Sequence, residues 1–415
     1  MVTAKKTNGI ACMNSKKTRL LLLVLINGTM FLFGFLENIK GVSYPLIKNE
    51  FDVPYEVLGR MVSLLSFSYT FFSIAAGLIL SRFGVKRVYL LGFICALGGL
   101  AAVYFSPAFI AVGASFFVLF ASFGLFEIGV NGLATQLFTT KAALAMSLLH
   151  FLYGAGAIVS PKAAGVLANA GMIWRQFYLL SIPLVLLVFI PALIAKFPRG
   201  DMAAKNSGET AKRRVTFFGA LTQKRVWLFG VSLGLMMGIE MASTNWGSLY
   251  FQDVYGMDPR TAGATFVSAF FILFTLSRLV SGFFIEKIGY LRSIFGAVVI
   301  IMGIFITGFV LGRYGIYVLP AVGFFAAILW PTIMARAMGV FGPDAPVVTS
   351  AMIAVGGLLN ASMQLAMGYL NRYLGAAWGY RSCPLFALLL LFMLLLLRTE
   401  LRAFKPKPRP ASGGR

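Results

Sequence analysis

Apolar residues in this chain come in long unbroken runs, and charges, Gly, Pro or Asn separate one run from the next. The runs mark twelve segments, near 20–40, 56–80, 87–105, 109–136, 142–167, 176–195, 225–250, 262–284, 291–311, 315–336, 347–371 and 381–397. About 20 apolar residues suffice to cross a bilayer as a helix. Barrel strands would need alternating lipid-facing and lumen-facing positions, and a stretch such as Phe386 to Leu397 has no alternation. Helices remain the way to satisfy the backbone in lipid. The pattern therefore predicts an all-α integral membrane protein with twelve transmembrane helices.

Composition agrees. Of 415 residues, 59% are hydrophobic and only 12% charged, with a mean hydropathy of +0.86. About 45–50% apolar and 25% charged would be ordinary for a soluble domain, so a soluble enzyme or a nucleic-acid-binding protein is excluded as a reading. Cys12, Cys95 and Cys383 are far apart and odd in number, which implies no disulfide framework. A single histidine, His150, argues against a histidine-based metal site. No Gly-Lys pair occurs, so there is no phosphate loop for ATP hydrolysis. The run from Leu20 to Leu36, led by Lys16, Lys17 and Arg19, is longer than a signal-peptide core and reads as the first span.

The net charge of +23 becomes an orientation signal once it is sorted by loop. With an even number of spans both ends share a side, and 27 of the 36 lysines and arginines, Arg278, Arg292 and Arg336 among them, fall on that side. Basic residues collect in cytoplasmic loops, so both termini are expected in the cytoplasm and the protein in the cytoplasmic (inner) membrane. The one long polar stretch between spans divides the chain six helices from six. The expected organisation is a cytoplasmic N-terminus (1–19), a six-helix bundle (20–195), a cytoplasmic linker (196–224), a second six-helix bundle (225–397) and a basic, Pro-rich, disordered tail (398–415).

The two halves share a phrase after their second helix, GLILSRFGVKR at 77–87 and GFFIEKIGYLR at 282–292. A second echo links Gly34 and Glu37 to Gly238 and Glu240. The phrase resembles the gating-loop motif of the major facilitator superfamily, with Gly77, Arg82, Gly84 and Arg87 in one copy and Gly282, Glu286, Lys287, Gly289 and Arg292 in the other. Ser81 stands where the motif has an acid. Phe126 to Gly132, with Glu127 and Asn131, Pro331 to Ile333, and Asn38 to Pro45 are similar to phrases of the fucose permease branch of sugar:proton symporters. The acid which that branch carries in helix 1 falls on Gly41, and Glu37 stands one turn earlier. The resemblance implies two pseudo-symmetric six-helix bundles, with helices 1, 4, 7 and 10 lining a central cavity.

Charge inside a span needs a reason, because it costs roughly 2.5–3.5 kcal/mol at mid-bilayer. Glu37, Glu127 and Glu240 are the three acids so placed, on helices 1, 4 and 7. They are the candidates for proton coupling, since a water-poor cavity favours the neutral carboxyl and brings its titration toward neutrality; the competing reading is structural hydrogen bonding, and for Glu37 an ion pair with Lys40 in the outer vestibule. Asn131 shares a helical face with Glu127. Asn38, Asn245, Trp246, Trp330, Asn360, Gln364 and His150 are the candidate substrate contacts, against interface anchoring for the tryptophans, interhelical hydrogen bonding for Asn360 and Gln364, and simple packing for His150. Lys162 is expected to snorkel, and Gly154 and Gly156 to match Gly356 and Gly357 in letting helices approach closely.

The expectation is a secondary active transporter of a small polar solute, a monosaccharide by the resemblance, working by proton-coupled alternating access. It needs a bilayer and a small-molecule substrate, no cofactor beyond the transported proton (sodium being the alternative ion), no metal and no nucleic acid, and works as a monomer. The alternatives are an exporter of a metabolite, drug or metal chelate and, in another class, a non-transporting sensor or a lipid-handling protein.

Overall fold

The computed structural model describes residues 16–138, 142–197 and 215–403. Lys141, most of the 196–224 linker and the Pro-rich tail lie outside the described residues. Among the described residues twelve helices are long and apolar enough to cross a membrane: α1 (Lys17–Phe51), α2 (Tyr55–Phe83), α3 (Val85–Phe105), α4 (Phe109–Ala134), α5 (Leu148–Asn169), α6 (Trp174–Ile194), α7 (Lys224–Tyr255), α8 (Pro259–Gly282), α9 (Tyr290–Val310), α10 (Gly312–Phe341), α11 (Val347–Leu374) and α12 (Trp378–Arg402). The chain is a multi-pass membrane protein. The described chain starts and stops at one end of the bundle, here the termini end; the α1–α2 turn marks the distal end.

The largest departure from the sequence reading is α1, which runs eleven residues past its expected end at 40. Lys40, Ser43 and Lys48 interrupt the apolar run there, yet Lys40 and Ser43 are buried in protein rather than facing lipid. One non-helical residue, Ile39, divides the span into Lys16–Asn38 and Lys40–Phe51.

The shared phrase forms the same local structure twice. The α2 helix ends at Phe83 and the α8 helix continues to Ile288; each stops on a glycine of positive φ, Gly84 at 82° and Gly289 at 89°, and the next helix starts at once. With ψ of 168° and 146° these positions lie in a region essentially closed to residues with a Cβ. The repeat in sequence is thus a repeat in backbone, at matching places in the two halves.

The halves meet along α2 against α11 and α5 against α8. Small residues permit it: a Cβ on Gly59 of α2 would lie 2.8 Å from the Cα of Gly368 on α11. Gly154 abuts Thr275 and Gly357 abuts Thr70 across the same two seams, while Gly156 packs on α1 and Gly356 on α7 within their own halves. The four glycines therefore divide in the same way in each half, between the partner bundle and the neighbouring helix.

Polar links between the halves gather at the distal end. Asp253 of α7 accepts from Lys48 Nζ at 3.1 Å and from the Tyr55 hydroxyl. Gln252 donates to Asn49 at 3.2 Å, Arg372 lies 3.6 Å from Glu56, and Arg60 donates to the Tyr369 hydroxyl at 3.0 Å. Lys162, expected to snorkel, donates to Thr265 on α8 at 2.6 Å. The bundle is closed at that end.

Candidate functional site

Between the halves lies a cavity of about 1060 Å³, counted out to its mouth, with walls from α1, α2, α4 and α5 on one side and α7, α8, α10 and α11 on the other. Its distal wall, with Glu37, Lys40, Tyr44, Glu240 and Asn245, is buried, whereas Glu127, Asn131, His150, Arg278 and Trp330 are partly exposed. Solvent therefore reaches the cavity from the termini end.

Its chemistry centres on three acids and two bases. Glu37 sits in the last turn before the Ile39 break, which brings it beside Lys40: Lys40 Nζ lies 3.3 Å from Glu37 Oε1, and the Tyr153 hydroxyl donates to Oε2 at 2.7 Å. The Lys40 ammonium also lies 5.4 Å from the centroid of the Phe120 ring. The side chains are only 3% and 9% exposed, so this is an internal pair rather than a vestibule pair. The charges need each other, because removing one partner of a buried pair strands the other. Glu127 is held differently, by the Tyr69 hydroxyl. A phenol can donate to a carboxylate or accept from a carboxylic acid, so the contact suits either protonation state. Arg278 lies with its guanidinium 4.6 Å from the Phe274 ring centroid and its Nε without a hydrogen-bond partner among the described residues.

Behind the α7 wall a polar network ties α7 to α11. Gln364 Oε1 accepts from Asn245 Nδ2 at 3.1 Å and Trp246 Nε1 at 2.9 Å, and Gln364 Nε2 donates to Asn360 Oδ1 at 3.2 Å. The network fixes the amides of Asn245 and Asn360, both of which line the cavity, and leaves Asn245 Oδ1 with no protein partner. That oxygen is an unmet acceptor beside the cavity.

The structure brings Glu37, Glu127, Glu240, Asn131, His150, Asn245, Trp330 and Asn360 to one cavity. Three other candidates lie behind its wall. Asn38 donates to the Gly34 carbonyl at 2.9 Å, Trp246 is 1% exposed, and Gln364 is fully buried as the hub of the network. Their polar groups meet protein partners, and none of the three is among the residues that line the cavity. Two corrections concern cations: Arg278, counted among the loop charges, lines the cavity from within α8, and Lys40 does so from α1. Without Arg278 the basic residues assigned to the termini side become 26 of 36, and the bias stands. Tyr69 and Tyr153, which position the acids, carried no signal among 15 tyrosines.

Among the described residues no group of three or more His, Cys, Asp or Glu side chains could hold a metal ion. With all acids and bases ionised and His150 neutral, the described lining residues carry three negative and two positive charges, so one added proton makes that set neutral.

Comparison with known proteins places this geometry. A glucose/galactose transporter of Brucella abortus is 25% identical over 329 residues, which span 74% of this chain and 77% of that protein. Among solved structures, FucP in the outward conformation covers 92% of this chain and 99% of its own, with a TM-score of 0.64 and 16% identity. The nucleoside transporter NupG matches over 92% and 99% with a TM-score of 0.72 and 13% identity. A bacterial homologue of the human lysosomal transporter Spinster matches over 95% and 100% with a TM-score of 0.73 and 15% identity. The family model of the Major Facilitator Superfamily matches residues 26–346. With that match over most of its length, and twelve spans around a central charged cavity, the chain belongs to the Major Facilitator Superfamily of transporters.

Proposed function

We propose that this transporter is a proton-coupled symporter of a small polar solute of the monosaccharide class. It sits in the cytoplasmic membrane with both termini inside, and the cavity in this structure is open to the cytoplasm. The observation that carries the reading is the cavity's single excess carboxyl. Lys40 neutralises Glu37 and Arg278 offsets a second acid, so one proton discharges the site before the halves rock around it. Glu127 takes that proton, because it is partly exposed and the Tyr69 hydroxyl that meets its carboxyl serves both protonation states. Glu240 and Glu37 complete the ionisable set.

The sugar reading is supported by the relative named a glucose/galactose transporter and by the wall. Trp330 offers a flat face, Asn131 and Asn360 offer amides, and Asn245 Oδ1 is a free acceptor for a hydroxyl. Direction is tested with right-side-out and inside-out vesicles under an imposed pH gradient, loaded in turn with glucose, galactose and fucose. Accumulation on the alkaline side that collapses with the gradient is expected, and sugar movement indifferent to pH would overturn proton coupling. A second reading, export of a cationic amphiphile, draws on the four cavity methionines, Met30, Met236, Met237 and Met241, beside the three acids. It requires a cation, and not a sugar, to raise the melting temperature of the purified protein.

A further inference from the structure

A second cavity lies at the termini end, lined from α9, α10 and α12. It measures about 860 Å³ out to its mouth, and four of its lining residues are arginines: Arg292, Arg336, Arg398 and Arg402. The others are Leu291, Phe295 and Leu401, so among the described residues no carboxylate lines it. Glu400, the acid on the same stretch of α12, is engaged by Lys224 at 3.1 Å and Arg225 at 3.5 Å.

This concentration of like charge is unfavourable as it stands. Arg398 and Arg402 are four residues apart on one helical face, a spacing at which like charges destabilise a helix. Arg336 is half-buried, and its Nε is shielded from solvent with no hydrogen-bond partner among the described residues. A buried donor without an acceptor is costly. Solvated loop arginines would not need to converge from three helices on one cavity, nor to bury a guanidinium nitrogen.

We propose that this cavity binds a phosphate-bearing anion. Guanidinium forks match phosphate oxygens in geometry and charge, and one such anion supplies the missing acceptor for Arg336 while relieving the repulsion among the four. The phosphate can come from an anionic lipid headgroup or from solution. The apolar lining of Leu291, Phe295 and Leu401 fits the lipid, whose acyl chains would rest on it where the three helices end. The site is independent of the central cavity and of what that cavity transports.

The test uses the full chain in nanodiscs of phosphatidylcholine alone, of phosphatidylcholine with phosphatidylglycerol, and of phosphatidylcholine with inorganic phosphate in the buffer. Bound lipid is read by native mass spectrometry and phosphate by the shift in melting temperature. Arg336→Gln with Arg398→Gln is expected to weaken binding roughly tenfold or more, the loss of a charge-assisted pair. Arg292→Gln with Arg402→Gln, both exposed, gives the same readout without disturbing the half-buried position. Lys17→Gln with Lys287→Gln removes two exposed charges from the same end and should leave binding unchanged. Retention of phosphatidylglycerol that depends on the arginines supports the site with lipid as the source. An arginine-dependent shift with inorganic phosphate alone supports it with a free anion as the source. If neither ligand binds the wild type, if the arginine variants bind as the wild type does, or if the lysine variant loses as much, the proposal is overturned.

Discussion

Single residues carry most of the functional information here, and they carry it through rarity. A carboxylate inside an apolar run is expensive, so Glu37, Glu127 and Glu240 stood out in the sequence, and all three line one cavity. The same rule applies to cations. Arg278 lay inside the expected span 262–284, flanked by apolar residues, but reading arginines as loop markers concealed it. Trp246 and Gln364 were legible as polar groups in spans, while their depth behind the wall was not, because one helix turn separates a lining residue from a buried one. The Glu37–Lys40 pair gives a direct test. Lys40→Met alone strands a carboxylate and should destabilise the fold by roughly 3–5 kcal/mol, seen as a fall in melting temperature. Adding Glu37→Gln should recover most of that loss, and equal melting temperatures for the single and double variants would show that the pair does not bear on stability. Arg278→Gln raises the cavity's excess from one negative charge to two, and initial uptake should fall more than tenfold, about 1.4 kcal/mol, with Arg278→Lys retaining part of the rate.

Helices were legible where lipid faces them and blurred where protein does. Eleven of the twelve expected ranges moved by six residues or fewer at either end, whereas α1 ran on by eleven. In α1 the extra turns follow Lys40 and carry Ser43, which hydrophobic patterning assigns to a loop and the fold buries. The two glycine turns were visible as a motif, but their backbone was not. Gly84→Ala and Gly289→Ala should each cost roughly 1–3 kcal/mol, because both positions demand a conformation that alanine avoids. Gly77→Ala and Gly282→Ala, helical positions where an added Cβ meets nothing within 4 Å, should be neutral or slightly stabilising. Melting temperatures that fail to separate the two pairs would contradict the assigned roles of the motif glycines.

At the scale of the whole molecule, the division into two halves was readable from the 77–87 and 282–292 repeat, and the cavity's place between them from the resemblance that repeat carries. Which end is shut was not readable. It rests on several individually weak polar links, such as Asp253 with Lys48 and Glu56 with Arg372, between residues remote in sequence. Interactions of this size, about 0–1 kcal/mol each when exposed, leave the two ends able to exchange roles. Asp253→Asn should shift that balance toward opening at the distal end. Spin labels at Ile173 and Tyr317, exposed distal positions in opposite halves, would report it as a longer component in their distance distribution. An unchanged distribution would remove Asp253 from the closure.

Proton coupling through Glu127 is the centre of the functional proposal, and proteoliposomes containing Glu127→Gln test it most directly. Sugar counterflow across equal pH should persist near the wild-type rate, while uphill accumulation and sugar-driven proton movement, read with a trapped pH dye, should be lost. Sugar-driven proton movement at the wild-type rate in that variant would contradict the assignment.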